Sequence, residues 1–229
     1  MAREAPEGAP VGRRVVLGLF GLGAVGVVTG SRIQDALSSL LAPIQLRDPT
    51  GLTALLPLGD TWRYYSVTGP VTARDAASYS LEVSGLVERP RTYSLAELGA
   101  LPQTAFVEMF QCVTGWRVPD VSWSGVRVAD LLDSAVPAAS AVGVRFGSFD
   151  GTYSTNMTLD QARGDDVIVA LTMYGEPVTN DHGGPARIYA GSMYGYKSTK
   201  WLSTIEVTAA NSPGYWEARG YPLNGVIDE

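Results

Sequence analysis

The chain has 229 residues, 45% of them hydrophobic and 17% charged, and acidic side chains outnumber basic ones by 23 to 17. This composition is typical of a globular protein with a sizeable core, and the net charge of −6 argues against broad electrostatic binding to nucleic acid. The single cysteine excludes an internal disulfide bond.

The amino-terminal segment has the pattern of an export signal. Residues 1–14 are polar and end in Arg13-Arg14, and residues 15–30 are uncharged, apolar and rich in glycine. These 16 residues fall short of the ~20 that a typical membrane-spanning helix needs. The pattern resembles a twin-arginine signal, which exports proteins that have already folded around a cofactor, and an ordinary two-arginine membrane anchor is the alternative.

A cleavage site after this segment is weak, because only Ala36-Leu37-Ser38 approaches the small-x-small pattern. The segment is therefore either removed or kept as an anchor, and both readings place the body of the protein outside the cytoplasm. We expect residues 1–44 to form the signal or anchor with its connector, and residues 45–229 to form one domain.

Short strands and short helices are predicted to alternate along the body, after a connector that extends to about residue 60. Alternating apolar residues predict strands, and Ser/Thr followed three residues later by Glu/Gln predicts helix starts. The predicted strands are 79–83, 106–110, 142–146 and 167–173, and the predicted helices begin at Ser94, span 124–133 and begin at Thr158. Because no regular βαβ spacing occurs, we expect an α+β fold with a mixed or antiparallel sheet.

Cys112 stands at the end of the apolar run 106–110, which predicts a short buried strand. Gly115 and Trp116 then mark a turn. A thiol at a strand end is well placed to contact a ligand that loops hold. The residues alone leave a second interpretation open, in which Cys112 is a small buried hydrophobic residue.

A second informative region combines Asp181–Arg187 with Tyr194–Trp201. His182, the only histidine, precedes two glycines at which the backbone can approach a ligand closely, although a structural role for it remains open. Arg187 offers a planar group with five donors that suits phosphate. Two mobile charges and two hydroxyls follow: Lys197, Lys200, Ser198 and Thr199. Together they predict a cradle for one phosphate, although neither a P-loop nor a dinucleotide-binding glycine pattern is present.

Four short motifs occur in a fixed order in this body. They are Phe110-x-Cys112-x-x-Gly115-Trp116, Trp123-Ser124-Gly125-Val126, His182-Gly183-Gly184-Pro185-x-Arg187 and Gly195-Tyr196-Lys197-Ser198-x-Lys200-Trp201. Their order and spacing, over roughly residues 62–207, resemble the sulfite oxidase family of molybdopterin enzymes. The resemblance implies a sulfite-oxidase-type molybdopterin-binding fold with mixed sheets and short helices.

The resemblance also implies a molybdenum-molybdopterin cofactor, with Cys112 as the protein's thiolate ligand and catalytic residue. A soft thiolate suits such a metal site, and coordination deprotonates the thiol. His182 and Arg187 are implied to contact the pterin and its phosphate. The remaining implied cofactor contacts are Ser198, Thr199 and Lys200 as the phosphate cradle, the hydroxyl of Ser148, and Arg63, Tyr64 and Tyr65 as an amino-terminal cofactor segment.

Departures from the family affect substrate more than cofactor. Sulfite oxidases have arginines near the molybdenum, commonly one soon after the cysteine, whereas here Arg117 lies beyond the tryptophan. The chain ends about twenty residues after the predicted 201–207 strand, which leaves no room for the immunoglobulin-like dimer domain. Without a second histidine it is not expected to carry its own haem. It resembles the bacterial exported branch, which includes periplasmic methionine sulfoxide reductase catalytic subunits.

The leading hypothesis is therefore an extracytoplasmic molybdenum oxidoreductase that transfers an oxygen atom. It would reduce an S-oxide or N-oxide, small or protein-bound, with electrons from a haem-bearing membrane partner. Tyr194, Tyr196 and Trp116 are candidates for the pocket wall, or for the core. The alternatives are sulfite oxidation and a cofactor-free, non-catalytic subunit of a membrane complex.

Overall fold

The structure, a computed structural model, describes residues 9–10, 62–64 and 66–227, with the backbone alone for residues 9, 10 and 63. Two five-stranded sheets make up most of it. A two-residue parallel ladder precedes them and joins β1 (Ala9–Pro10) to β2 (Arg63–Tyr64). Apart from residues 9–10, the predicted leader and the predicted connector lie outside the described residues. Within the described part of the chain, no helix is long and apolar enough to cross a membrane.

The first sheet is antiparallel and carries Cys112 at the end of its outer strand. Its strands are β5 (Thr104–Gln111), β6 (Arg117–Arg127), β9 (Val167–Met173), β10 (Glu176–Pro177) and β11 (Arg187–Ala190). β5 pairs with β6 and β6 with β9, while β10 and β11 share the other edge of β9. This arrangement brings the start of β11, and with it Arg187, into the same sheet as the strand that leads to Cys112.

The second sheet is mixed. Its strands are β3 (Ser80–Gly85), β4 (Arg91–Ser94), β7 (Gly143–Ser148), β8 (Ser154–Thr158) and β12 (Leu202–Thr208). The strand order is β4-β3-β12-β7-β8, with β3 and β12 parallel and the other pairs antiparallel. The prediction of an α+β fold with mixed sheets and short helices is confirmed.

In the part of the chain that the structure describes, the helices are short, and the first and third begin where the sequence predicts caps. They are α1 (Leu95–Ala100), α2 (Val128–Ala135) and α3 (Leu159–Ala162). Ser94 and Glu97 form a reciprocal capping box at α1, and Thr158 and Gln161 form another at α3. Two 3-10 turns, Gly195–Lys197 and Glu217–Arg219, flank the carboxyl-terminal part of the chain.

β9 separates two hydrophobic clusters, because successive side chains of a strand point to opposite faces. Val167 and Val169 pack into the main core between the sheets. Ile168 and Ala170 pack into an aromatic cluster on the other face, around Trp62 and Trp123. Burial on both faces explains why β9 reads as a continuous apolar run.

Two sequence expectations need correction. The 106–110 segment does form a strand, but it is an edge strand rather than a buried one, with Val107 62% and Met109 37% exposed. The predicted 124–133 helix begins only at Val128, because residues 124–127 continue β6 and pair with β9. Sheet pairing overrides the helical spacing of Val126 and Val128 there.

Candidate active site

A cavity of about 140 Å³ opens beside Cys112. Loops that follow strands of both sheets supply its wall, so residues distant in sequence meet there. The wall draws on Trp62, Tyr64, Ser66 and Val67, and on segments 110–116, 150–153, 181–187, 195–201 and 216–221. A ligand in this cavity therefore contacts both sheets and the carboxyl-terminal segment at once.

The turn after β5 presents the Cys112 thiol to the cavity. The Cys112 N–H donates to the Trp116 carbonyl at 2.9 Å, and the Gly115 N–H donates to the Cys112 carbonyl at 3.0 Å. Gly115 has a φ of 102°, which glycine adopts without strain. The Cys112 Sγ lies 3.2 Å from the Thr114 Oγ1, and the residue is half-buried. The thiol thus lines the cavity on a turn fixed by two backbone hydrogen bonds, as the sequence predicts for a strand-end cysteine.

Arg187 is 2% exposed and joins the two loops that the sequence singles out. Its guanidinium donates to the carbonyls of His182 at 2.7 Å, Ser198 at 3.1 Å and Ile188 at 3.2 Å. Burial lowers the pKa of Arg187 to about 10, so the group stays charged at neutral pH. Among the described residues no carboxylate forms an ion pair with it. Three neutral carbonyls and the rings of Phe110 and Trp123, whose centroids each lie 5.4 Å from its Cζ, surround this positive charge, which suits it to an anionic ligand.

His182 is 4% exposed and neutral. Its Nε2 lies 3.2 Å from the Tyr64 hydroxyl, and its ring meets Trp62 edge-on with centroids 4.8 Å apart. Burial first, and then the charges of Arg187 and Lys200, lower its pKa to about 3. His182 therefore acts in this cavity as a neutral hydrogen-bonding group.

Lys200 completes the charged part of the wall. Its Nζ donates to the Asp181 carbonyl at 3.1 Å and lies 4.1 Å from the Trp201 ring centroid. Burial, followed by Arg187, lowers the pKa of Lys200 to about 7. A Cβ on Gly183 would come within 2.4 Å of the Lys200 Cβ, so the packing of the two loops requires glycine there. We call His182, Arg187, Ser198 and Lys200, which all line the cavity, the cationic side.

Two predicted contacts lie behind the wall instead. Ser148 is buried, and its Oγ accepts a hydrogen bond from the Asp150 N–H at 3.1 Å. It thereby shapes the turn that puts Asp150 and Tyr153 into the wall. Thr199 is fully buried, and among the described atoms its Oγ1 has no hydrogen-bond partner.

The predicted amino-terminal cofactor segment is described only in part. Tyr64 lines the cavity and contacts His182, as does the neighbouring Trp62. Tyr65 and the side chain of Arg63 lie outside the described residues, so their assignment remains a prediction.

Lys197 corrects the sequence interpretation, because it is not part of the phosphate cradle. It is fully buried and points away from the cavity, where its Nζ lies 2.7 Å from the Glu217 Oε1. The same Nζ donates to the carbonyls of Asn156 at 2.7 Å and Leu223 at 2.5 Å. Burial lowers the pKa of Lys197, and Glu217 acts in the opposite direction. The 3-10 turn Gly195–Lys197 turns this side chain inward while Ser198 and Lys200 line the cavity.

An uncharged surface closes the cavity on the side of Val113. Tyr196, Trp216 and Tyr221 contribute three rings to it, with centroids 5.2 Å apart between Tyr196 and Tyr221 and 5.3 Å apart between Trp216 and Tyr221. We call these four residues the aromatic wall. Cys112, Trp216 and Tyr221 pack against the cluster that contains Val113 and Tyr196.

Of the predicted wall candidates, Tyr196 and Trp116 line the cavity, whereas Tyr194 packs behind it. Sequence reasoning missed Trp216 and Tyr221, because segment 209–227 has no helical or strand periodicity. The one signal there is aromatic density, Tyr215-Trp216 and Tyr221 within seven residues.

Comparison with known proteins decides the family. Residues 68–216 match the family described as oxidoreductase molybdopterin binding domain. The chain belongs to this family. It is thus an enzyme, a molybdopterin-dependent oxidoreductase of the sulfite oxidase type, and the predicted cofactor, fold and family are confirmed.

Curated relatives agree with this placement. The uncharacterized oxidoreductase YuiH of Bacillus subtilis is 36% identical over 66% of this chain and 76% of its own length. The putative protein-methionine-sulfoxide reductase subunit YedZ1 of Azospira oryzae is 32% identical over 87% of this chain and 82% of its own length. The sulfite oxidase of Arabidopsis thaliana is 30% identical over 68% of this chain, but the match spans only 48% of the plant enzyme.

A solved structure shares the fold. The sulfane dehydrogenase SoxCD from Paracoccus pantotrophus has a TM-score of 0.58 and 19% sequence identity, over 62% of this chain and 41% of that one. At this identity the likeness concerns the fold alone.

The cavity residues fit the cofactor that the family binds. Cys112 offers a thiol at the wall, and Arg187 offers a buried positive charge that no described carboxylate neutralises. Among the described residues, no group of three or more His, Cys, Asp or Glu side chains is arranged to hold a metal ion. A metal dithiolene with a phosphate tail is held by a thiolate ligand to the metal and by positive charge beside the phosphate.

Proposed function

We propose that the enzyme reduces an S-oxide, with methionine sulfoxide in a peptide or protein as the substrate class. The observation that carries the proposal is the meeting of the Cys112 thiol and the cationic side in one cavity. A relative similar over 82% of its own length bears the name of a methionine sulfoxide reductase subunit, which supports this direction of the reaction.

The residues would divide the work between binding and chemistry. Cys112 would hold the molybdenum through its thiolate. Arg187, Ser198 and Lys200 would hold the anionic tail of the cofactor with charge-assisted hydrogen bonds, and Ser148 and Thr199 would support that cradle from behind. His182, kept neutral by burial, would accept a hydrogen bond from the pterin or donate one to it without adding charge.

When bound, the cofactor supplies the two-electron redox centre that takes oxygen from the substrate. The overall reaction consumes two electrons and two protons per S-oxide and yields a thioether and water. The chain's own residues would orient the substrate and exclude bulk water from the cavity. A wall rich in aromatic side chains limits the water that reaches the reacting atoms.

Export and an electron-donating partner complete the proposal. The Arg13-Arg14 pair ahead of an apolar segment supports twin-arginine export, with residues 1–44 as signal or anchor and residues 45–229 as the catalytic domain. Electrons would come from a haem-bearing membrane partner, a role that agrees with the word subunit in the relative's name. Reduction of an N-oxide and oxidation of sulfite are the competing activities.

The test measures metal and turnover together on exported, folded enzyme. We expect about one molybdenum per chain, by elemental mass spectrometry, in a protein with one thiolate ligand. Reduced viologen dye should be oxidised when a methionine sulfoxide peptide is added. Cys112→Ser should lose this turnover and most of the metal while its circular dichroism stays that of the wild type.

The matched control is Ser140→Ala, a substitution at an exposed residue away from the cavity. It should leave metal content and turnover unchanged. Molybdenum-loaded enzyme that oxidises sulfite with an acceptor dye, and leaves sulfoxides untouched, would overturn the reductase proposal. Full turnover by Cys112→Ser would overturn the role of the thiolate.

A further inference from the structure

The aromatic wall lies against the Cys112 side chain. Cys112 packs on the cluster that contains Val113 and Tyr196, and the same cluster contacts Trp216 and Tyr221. Trp216 and Tyr221 are half-buried, so parts of both rings are accessible. A substrate that reacts beside Cys112 can therefore contact these rings.

The chemistry of the wall is that of a neutral, apolar ligand. Its four side chains carry no charge, and the three rings meet at edge-on or tilted angles of 73° and 51°. Aromatic rings attract thioether sulfur and its methyl and methylene neighbours, with sulfur about 5 Å from the ring. Sulfite, an anion without apolar arms, gains nothing from such a surface.

Hydrogen bonds and an ion pair anchor the carboxyl-terminal segment, which carries two of these rings. The Tyr196 hydroxyl donates to the Pro222 carbonyl at 2.7 Å, and the Tyr194 N–H donates to the Gly225 carbonyl at 2.8 Å. Glu217, which follows Trp216 in the sequence, forms a buried ion pair with Lys197. The segment is thereby fixed to the loop that also supplies Ser198 and Lys200.

Close packing reinforces this anchor. A Cβ on Gly225 would come within 2.5 Å of the Lys197 Cε, and a Cβ on Gly214 within 2.4 Å of the Ser154 carbonyl oxygen. The Tyr215 N–H donates to the same Ser154 carbonyl at 2.7 Å. The segment from 212 to 227 thus lies directly on the cavity loop and on β8.

We propose that the aromatic wall of Val113, Tyr196, Trp216 and Tyr221 is the substrate subsite and binds the apolar arms of a methyl thioether S-oxide. Lys197 and Glu217 are positioning residues that hold Trp216 and Tyr221 beside Cys112. The proposal rests on the proposed reductase function and specifies which surface selects its substrate. Trp216 and Tyr221 bind rather than react, so they set affinity and leave the chemical step to the centre at Cys112.

The experiment replaces rings by apolar side chains that cannot offer an aromatic face. Trp216→Leu, Tyr221→Leu and the double variant are compared in molybdenum-loaded enzyme. Two quantities are measured: KM and kcat for a methionine sulfoxide tripeptide, and the calorimetric Kd of the corresponding methionine tripeptide on oxidised enzyme without turnover. Each single variant should raise KM and Kd about three- to tenfold, and kcat should change by less than about twofold.

Two controls accompany these variants. Phe106→Ala removes a half-buried ring of β5 that does not line the cavity, and it should leave KM and Kd unchanged. Trp216→Phe keeps an aromatic face and should restore most of the affinity that Trp216→Leu loses.

Unchanged KM and Kd in the double variant, with wild-type molybdenum content, would overturn the subsite and leave the reductase function standing. A double variant whose kcat falls while KM and Kd stay constant would also overturn the subsite and leave the reductase function standing. A wild-type enzyme that is fully loaded with molybdenum and reduces no S-oxide would overturn both proposals.

Discussion

The two sides of the cavity are built in opposite ways. On the cationic side, Arg187 is almost completely buried and donates to three backbone carbonyls, so its position is fixed by the main chain. On the aromatic wall, Trp216 and Tyr221 are half-buried and lie on a segment outside both sheets. One side is therefore fixed by hydrogen bonds from Arg187 to the main chain, and the other lies on a surface segment that is anchored to the 194–197 loop.

Under the proposed function, this difference separates cofactor binding from the choice of substrate. A cofactor common to a family needs a constant site, and Arg187 at the start of β11, held by loop carbonyls, would provide one. Substrates differ between members, and loops tolerate change better than strands do. We therefore expect substitutions on the two sides to give different signatures: loss of metal on the cationic side, and changed KM on the aromatic wall.

The largest effect is expected from Glu217→Gln. It leaves the fully buried Lys197 charge without its partner, and breaking such a pair costs about 3–5 kcal/mol of unfolding free energy. Urea denaturation measures this loss. Enzyme that still folds should keep its molybdenum and show a raised KM, because the anchor lies under the aromatic wall.

The matched control is the double variant Lys197→Met with Glu217→Leu, which removes both charges together. It should be less destabilised than Glu217→Gln, since no uncompensated charge remains in the core. Equal or greater destabilisation in the double variant would show that the hydrogen bonds from Lys197 to the Asn156 and Leu223 carbonyls matter more than the charge pair.

Arg187→Gln is expected to act on the cationic side. Carbonyls of His182, Ile188 and Ser198 lose charged donors, which should lower the unfolding free energy of cofactor-free protein by about 3 kcal/mol. Molybdenum content after export should also fall, while any loaded fraction keeps the wild-type KM. Arg187→Lys, which retains charge but not the planar fork, serves as the comparison and should recover only part of the loss.

The pH dependence of stability tests the buried state of His182. Its pKa is about 3 in the folded protein and 6.5 ordinarily, so below pH 6.5 the unfolded chain binds a proton that the folded chain does not bind. Its stabilising contribution is complete above pH 6.5 and is lost as the pH falls toward 3. Wild type should therefore lose about 1.4 kcal/mol per pH unit more than His182→Gln in this range. Parallel pH profiles would contradict the burial of this imidazole.

The smallest effect concerns Lys200, whose pKa is lowered to about 7. An anion that binds beside it favours the protonated form, so phosphate binding to cofactor-free protein should take up a proton above pH 7. Affinity should then fall by up to about tenfold per pH unit as the pH rises further. Calorimetry in buffers of different ionisation enthalpy measures the uptake, and Lys200→Arg should bind phosphate without it, because arginine stays charged.

Local rules carried much of the sequence prediction. The capping boxes at Ser94 and Thr158 mark real helix starts, and the apolar run 167–173 is a strand with those bounds. Such features depend on residues within four positions of one another. The edge position of β5 and the extension of β6 to Arg127 depend instead on which strands pair, and local residue spacing does not determine strand pairing.

The same distinction between local sequence features and long-range contacts applies to the site. By itself, the sequence determined the family, the cofactor and the pairing of Cys112 with the region around Arg187, because those residues lie in ordered motifs. Tertiary structure alone decided that Lys197 turns into the core toward Glu217 and that Ser148 lies behind the wall. It alone also brought Trp216 and Tyr221 beside the thiol. The physical reason is that a side chain's direction and its long-range contacts are fixed by packing between segments, which residue type and spacing do not record.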